Sequence, residues 1–176
     1  MTAHTALMNI PEELRSYPQW VVWRSEQRDG DAKPTKVPYS PTIGRLASVS
    51  DPATWGSFDQ ARAAHEAGQG SGVGFVFTEQ DPYAGIDLDD PEGDEAVWAI
   101  QRKVFDAFQS YAERSPSGRG LHIIVKGKLP GGRRRSKIEA YSSRRFFTFT
   151  GDVYRNAPVN DHQELLQELW TELGGT

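Results

Sequence analysis

Short alternating and β-branched apolar runs recur along this chain, separated by turn residues and by a few stretches of helical period. The run at 20–24 (Trp-Val-Val-Trp-Arg) follows Pro18 and reads as a first strand. Residues 29–41, with Gly30, Pro34, Pro38 and Pro41, are too punctuated for regular structure and read as a loop. Ser57 caps a helix over 58–67 that Gly68 ends. Strands over 73–78 and 84–89, joined by a turn at Asp81-Pro82, read as a hairpin-like pair. Val97, Ile100, Val104, Phe105 and Phe108 mark a helix over 95–111. After a turn at 115–120 come strands over 121–126, 137–141 and 145–150. A final helix over 162–173 carries Leu165, Leu166, Leu169, Trp170 and Leu173 on one stripe. The order of elements predicts an α+β fold, a mostly antiparallel sheet core flanked by helices, in one domain spanning 1–176.

Composition narrows the chemistry. The chain has 176 residues and no cysteine, which excludes disulfides, thiolate zinc sites, iron–sulfur clusters and cysteine nucleophiles. Residues 1–11 lack the pattern of a signal peptide, and no 18 apolar residues are consecutive, so a cytoplasmic protein with no membrane partner is expected; a monomer is expected as well. The net charge of −4 argues against nucleic-acid binding only until its distribution is read. Eight carboxylates (Glu79, Asp81, Asp87, Asp89, Asp90, Glu92, Asp94 and Glu95) fall between positions 79 and 95 with no lysine or arginine. Between 113 and 145, ten cations stand against Glu113 and Glu139, a net of +8. An acidic cluster followed by a basic tract suggests a metal and a polyanion; two solvated faces of opposite sign are the plainer reading of the same pattern.

Three constellations carry candidate chemistry. In Ile86-Asp87-Leu88-Asp89 the strand period sends both aspartates to one face while Ile86 and Leu88 enter the core. Two carboxylates on one face repel unless a hard divalent cation lies between them, although aspartates also cap turns at strand ends. Glu139 is a candidate third ligand if its strand lies beside the aspartate strand, and an ordinary solvent-facing glutamate if it does not. In Ser115-Pro-Ser-Gly-Arg-Gly-Leu-His122, Gly118 and Gly120 allow backbone amides to converge on a phosphate, with Ser117, Arg119 and His122 adding donors. Lys33 and Lys36 have the reach for a triphosphate, but lysines in such a loop are more often ordinary loop lysines. No Gly-x-Ser-x-Gly elbow and no Walker-type loop is present, so phosphate chemistry here rests on metal ions.

These pieces resemble the primase-polymerase domain of the archaeo-eukaryotic primase superfamily, in the form found in phage and plasmid replication proteins. The resemblance runs from Ile10-Pro-Glu-Glu-Leu and Trp20-Val-Val-Trp through Lys33-Pro-Thr-Lys-Val-Pro-Tyr-Ser-Pro and Asp51-Pro-Ala-Thr-Trp to Arg145-Phe-Phe-Thr-Phe-Thr-Gly151. The family's metal-binding D-x-D matches Asp87 and Asp89, its small-x-His matches Gly120-Leu-His122, and its hydrophobic-carboxylate motif matches Ile138-Glu139, with glutamate replacing the usual aspartate.

The resemblance implies an RRM-like catalytic core and template-directed nucleotidyl transfer with two Mg²⁺ or Mn²⁺ ions held by Asp87, Asp89 and Glu139. It implies triphosphate contacts from His122, Ser117, Gly118, Arg119, Gly120, Lys33, Lys36 and Arg145, and a sugar contact from Tyr141. Lys126, Lys128, Arg133, Arg134, Arg135 and Lys137 then grip the template and primer DNA, with NTPs or dNTPs as substrates and a replicative helicase as a further partner. A catalytically inactive nucleotide- or DNA-binding module and a metal-dependent phosphodiesterase are the competing readings. The end of the chain just after the helix within 161–173 suits the N-terminal part of a longer replication protein.

Overall fold

The computed structural model describes residues 6–90 and 93–174; Glu92 of the acidic run lies outside the described residues. The chain packs as two compact units, residues 1–76 with 146–150, and residues 77–145 with 151–176.

The first unit is built on a four-stranded sheet in the order β2-β1-β3-β9, with β1 at Trp20–Glu26, β2 at Thr35–Tyr39, β3 at Gly72–Phe77 and β9 at Arg145–Phe149. Trp20 anchors its core. The indole packs edge-to-face on Phe58, Phe75 and Phe149 at 5.1, 5.3 and 5.4 Å between centroids, and its N–H donates to the Leu14 carbonyl of α1 (Glu12–Arg15). Helix α2 (Phe58–Glu66) starts where expected, because Ser57 and Gln60 form a reciprocal capping box. The punctuated stretch 29–41, expected to be a loop, contains β2. Antiparallel pairing with β1 overrides its prolines, and Pro38 is accommodated because β2 is the edge strand of the sheet.

The second unit is a six-stranded sheet ordered β10-β5-β6-β4-β8-β7, and every neighbouring pair is antiparallel. Its strands are β4 (Tyr83–Asp89), β5 (Ala112–Arg114), β6 (Gly120–Lys126), β7 (Arg133–Arg135), β8 (Ile138–Tyr141) and β10 (Val153–Arg155). Alternation puts Ile86, Leu88, Leu121, Ile123, Ile138 and Ala140 on one face, where they pack with Phe105 of α3 (Glu95–Ala107) and Leu166, Leu169 and Leu173 of α4 (Gln163–Gly174). Each fully buried leucine or isoleucine stabilises this layer by roughly 2 kcal/mol. The packed face fixes the register of every strand, because a one-residue slip would turn the apolar set outward.

Two further expectations are corrected here. The segments at 73–78 and 84–89 are strands but not a hairpin: they belong to different sheets. The Asp81 carboxylate instead closes a compact turn, accepting from the Thr78 amide at 2.7 Å and the Tyr83 amide at 2.8 Å. Helix α3 stops at Ala107 rather than 111. The Ser110 hydroxyl donates to the Ile124 carbonyl at 2.6 Å, and the chain beyond it pairs with β6 as β5, a tertiary contact that wins over helical period. Among the described residues no helix is long and apolar enough to cross a membrane.

Candidate active site

The face of the six-stranded sheet opposite α3 and α4 carries a row of polar residues set by strand register. Asp87 on β4 lies directly opposite Glu139 on β8 and, on its other side, opposite His122 on β6. His122 is in turn opposite Glu113 on β5, and Glu139 opposite Arg134 on β7. Directly opposed residues in an antiparallel ladder project from the same face with Cβ atoms about 5 Å apart. The condition that sequence left open is therefore met: the Glu139 strand is hydrogen-bonded to the aspartate strand.

The contacts along the row are short. His122 Nε2 lies 3.4 Å from Asp87 Oδ1. Glu139 faces Asp87 across the ladder, and its Oε1 accepts from the Tyr141 hydroxyl at 2.8 Å. Arg145 Nη2 and Arg134 Nε stand 3.6 and 3.9 Å from the same oxygen. Burial, reinforced by the neighbouring Asp87 carboxylate, raises the Glu139 pKa above the ordinary glutamate value, while Tyr141 and Arg145 pull it the other way. Burial and the bond to Glu139 likewise raise the Tyr141 hydroxyl. The Tyr141 ring is fixed on both sides. The Arg145 guanidinium sits 4.2 Å from its centroid, and a Cβ at Gly132 would come within 2.2 Å of it, so only glycine fits there.

Asp89 sits at the exposed end of β4, opposite Gly120. Its amide donates to the Lys137 carbonyl at 3.0 Å, and its carbonyl accepts from Gln101 Nε2 at 2.8 Å. Gln101, a buried amide within the apolar stripe of α3, also donates to the Lys137 carbonyl at 3.2 Å. It thus ties the end of the aspartate strand to the turn before Glu139. Motif and spacing do not single it out; the available signal is a polar residue at a core position of the helical period. Among the described residues no three Asp, Glu or His side chains form a ready metal cage. The expected three-carboxylate cluster is a contacting pair, Asp87 with Glu139, and Asp89 stands two residues further along the strand.

The glycine-rich turn expected to cradle phosphate is internally hydrogen-bonded. The Gly118 amide donates to the Ser115 carbonyl, the Arg119 amide to Ser117 Oγ and the Gly120 amide to Ser115 Oγ, so the turn satisfies its own amides. Gly120 is required by close approach, since a Cβ would lie 2.9 Å from the Leu88 carbonyl. Behind this turn, on the helix side, lies a cavity of about 520 Å³ bordered by Trp98, Arg114, Arg119 and Tyr154.

The basic tract is divided. Lys128 Nζ donates to the Thr78, Tyr83 and Ser142 carbonyls at 2.6, 2.9 and 2.7 Å and pairs with Asp81 at 3.1 Å, so its ammonium is an internal strut and burial lowers its pKa. Arg133 stacks 3.2 Å over the Trp170 ring and donates to the Trp170 carbonyl, and Arg135 Nη1 reaches the Glu172 carbonyl at 3.5 Å. Arg134, with 72% of its side chain exposed, borders the carboxylate row. Lys126 is half-buried on β6, and Lys137 occupies a turn with positive φ. Lys33 and Lys36 lie in the first unit, both exposed.

No protein-family model matches the chain. It is 40% identical over 161 residues, 84% of its length, to a protein named DNA Primase-polymerase from Nitratiruptor phage NrS-1. The matched stretch is 21% of that phage protein, so the chain spans about a fifth of the relative's length. Most of the chain is therefore similar to one segment of a longer phage protein of that name.

Proposed function

We propose that this domain extends a DNA primer on a template by transferring nucleotides from NTPs or dNTPs. The observation that carries the reading is the register Glu139–Asp87–His122 across three adjacent strands, which brings two carboxylates and an imidazole onto one face. Asp87 and Glu139 fit a hard divalent cation. They are oxygen donors held against each other at a cost in repulsion that a cation would relieve, and Asp89 is the third ligand from the strand end. These carboxylates would hold Mg²⁺ or Mn²⁺, which when bound would supply Lewis-acid activation of the primer 3′-hydroxyl and charge neutralisation on the leaving pyrophosphate.

The chain's own groups do the rest. His122 contacts the triphosphate beside the carboxylates, and Ser117 and Arg119 approach it through their side chains, the amides of their turn being engaged. Tyr141, clamped between Gly132 and Arg145, offers a rigid surface to the sugar of the incoming nucleotide. Template binding falls to Arg134, Arg135, Lys126 and Lys137, whereas Lys128 and Arg133 hold the scaffold. Lys33 and Lys36 enter no part of this reading. A replicative helicase partner, a monomeric state and a cytoplasmic location remain expectations from the sequence.

A primer-extension assay with labelled primer, Mg²⁺ or Mn²⁺, and separate ribo- and deoxyribonucleotide pools tests the proposal. Lengthening of the primer is expected. Shortening would assign phosphodiester hydrolysis, and DNA binding with neither outcome would assign a non-catalytic module.

A further inference from the structure

Glu113 is fully buried, at 0% exposure, on the polar face of the sheet. A carboxylate in that position needs compensation, because desolvating a charge costs several kcal/mol. The compensation is built in: Glu113 Oε2 accepts from the Tyr111 hydroxyl at 2.8 Å and from the Gly151 amide at 3.0 Å. Both partners are themselves placed by the fold, Tyr111 at 2% exposure in the core and Gly151 in a buried turn. Nothing in the metal site or the template grip uses this group. Its distinction is its place in the ladder, directly across from His122 on the strand away from Asp87.

We propose that Glu113 is a positioning residue for His122. His122 has an acidic residue directly opposite it on each neighbouring strand, Asp87, 3.4 Å from its Nε2, on one side and Glu113 on the other. The two differ in what happens to them when substrate arrives. Asp87, in the proposed reaction, gives its oxygens to cations and no longer orients the ring. Glu113 is locked by two donors in the interior and remains, so the ring keeps one orientation and presents its donor edge to the triphosphate. Acidic groups behind an imidazole act in this way in metal and hydrolase sites, where they fix the ring and its tautomer without touching substrate. The inference rests on the proposed function and adds to it a determinant of nucleotide affinity.

The test is a double-mutant cycle read in steady-state primer extension and thermal melting. Glu113→Gln keeps a carbonyl acceptor for Tyr111 and Gly151 and removes the charge. It should raise KM for the incoming nucleotide about tenfold with kcat changed by no more than about twofold, the size found for groups that orient a ligand from behind. In the His122→Ala background the same substitution should leave KM within about twofold. Glu113→Asp, which restores the charge, should fall between wild type and Glu113→Gln. A merely structural Glu113 gives the opposite pattern: lower kcat and melting temperature from a smaller folded fraction, with KM unchanged or raised equally in both backgrounds. Either of those results overturns the proposal. If Glu113→Gln does not fold, Glu113→Asp run through the same cycle decides by the same criterion. Absence of extension by the wild-type domain sinks the polymerase reading itself, whereas extension indifferent to Glu113 sinks only this inference.

Discussion

The carboxylate row and the basic tract differ in how charge relates to place. On the row, each charged residue is where strand alternation puts it: Asp87 between Ile86 and Leu88, Glu139 between Ile138 and Ala140, all four apolar neighbours buried. The core fixes the register, and the register fixes which acids meet. On the basic tract that constraint acts only within strands, as in β7, where it sets Arg134 opposite Glu139, and Lys128 lies outside the strands. Lys128 and Arg133, five residues apart among like charges, are drawn inward by carbonyls, a buried carboxylate and an indole, while Arg134, next to Arg133, stays out. Charge opposite a packed face is thus legible from sequence, and the inward docking of Lys128, outside any strand, is not.

The largest effect expected from breaking this contrast is on the row. Asp87→Ala together with Asp89→Ala should lower primer extension by at least about a thousandfold, roughly 4 kcal/mol of transition-state stabilisation. Affinity for primer–template, measured by fluorescence anisotropy, should change by less than about threefold. Substantial extension by the double variant would remove the carboxylates from the chemistry.

Lys128→Met is the matching test on the tract. It strands the Asp81 carboxylate, whose side chain is 0% exposed, and three carbonyls, so chemical denaturation should show a loss of about 3 kcal/mol. DNA affinity per folded molecule should not move. A stable Lys128→Met protein that binds DNA poorly would reverse the division drawn between the two halves of the tract. Arg134→Ala with Arg135→Ala should do what Lys128→Met does not: weaken duplex binding and reduce the slope of log K against log salt by up to about two.

What sequence discloses and what it withholds follow the same line. The D-x-D pair, Glu139 and His122 are identifiable from alternation and motif order, and β4, β6 and β8 carry them as expected. The adjacency of β4 to β8 depends on pairing between distant segments, which local alternation does not encode. The part played by Glu113 is hidden because residues 108–111 continue the apolar period of α3, so the approach to β5, and with it the residue opposite His122, looks like the end of a helix. Gln101 is hidden because its partners, the Asp89 and Lys137 carbonyls, are backbone groups that leave no mark in composition. The self-satisfied amides at 118–120 are hidden because Ser115 and Ser117 serve equally well as phosphate donors or as turn caps.

Glu139 sharpens the comparison through pH. Its pKa is raised in the folded protein by burial and by Asp87, so the protonated form is favoured by folding. The stability this contributes is present below the ordinary glutamate pKa and lost as pH rises through the raised value. With chelator present, wild-type stability should decline with pH across that interval. Glu139→Gln should flatten the decline and be more stable at neutral pH by about 1 kcal/mol, the ordinary yield of relieving one unfavourable group at a functional site, while losing extension. Equal pH profiles for the two proteins would mean that the pair with Asp87 is not strained.

The smallest effect joins the two regions at one residue. Lys137 belongs to the basic tract by its side chain and to the site by its carbonyl, which accepts from the Asp89 amide and from Gln101. With Ser136 it forms the two-residue turn between β7 and β8, both at positive φ, where a side chain costs about 1 kcal/mol relative to glycine. Lys137→Gly should therefore raise stability by about 0.5 kcal/mol once the greater freedom of glycine in the unfolded chain is offset. It should keep kcat, because the carbonyl remains, and should reduce the salt slope of DNA binding by at most about one. A fall in kcat with unchanged DNA affinity would place the residue with the carboxylates through its side chain as well as its backbone. A loss of stability would show that the ammonium, not the carbonyl, holds the turn against β4.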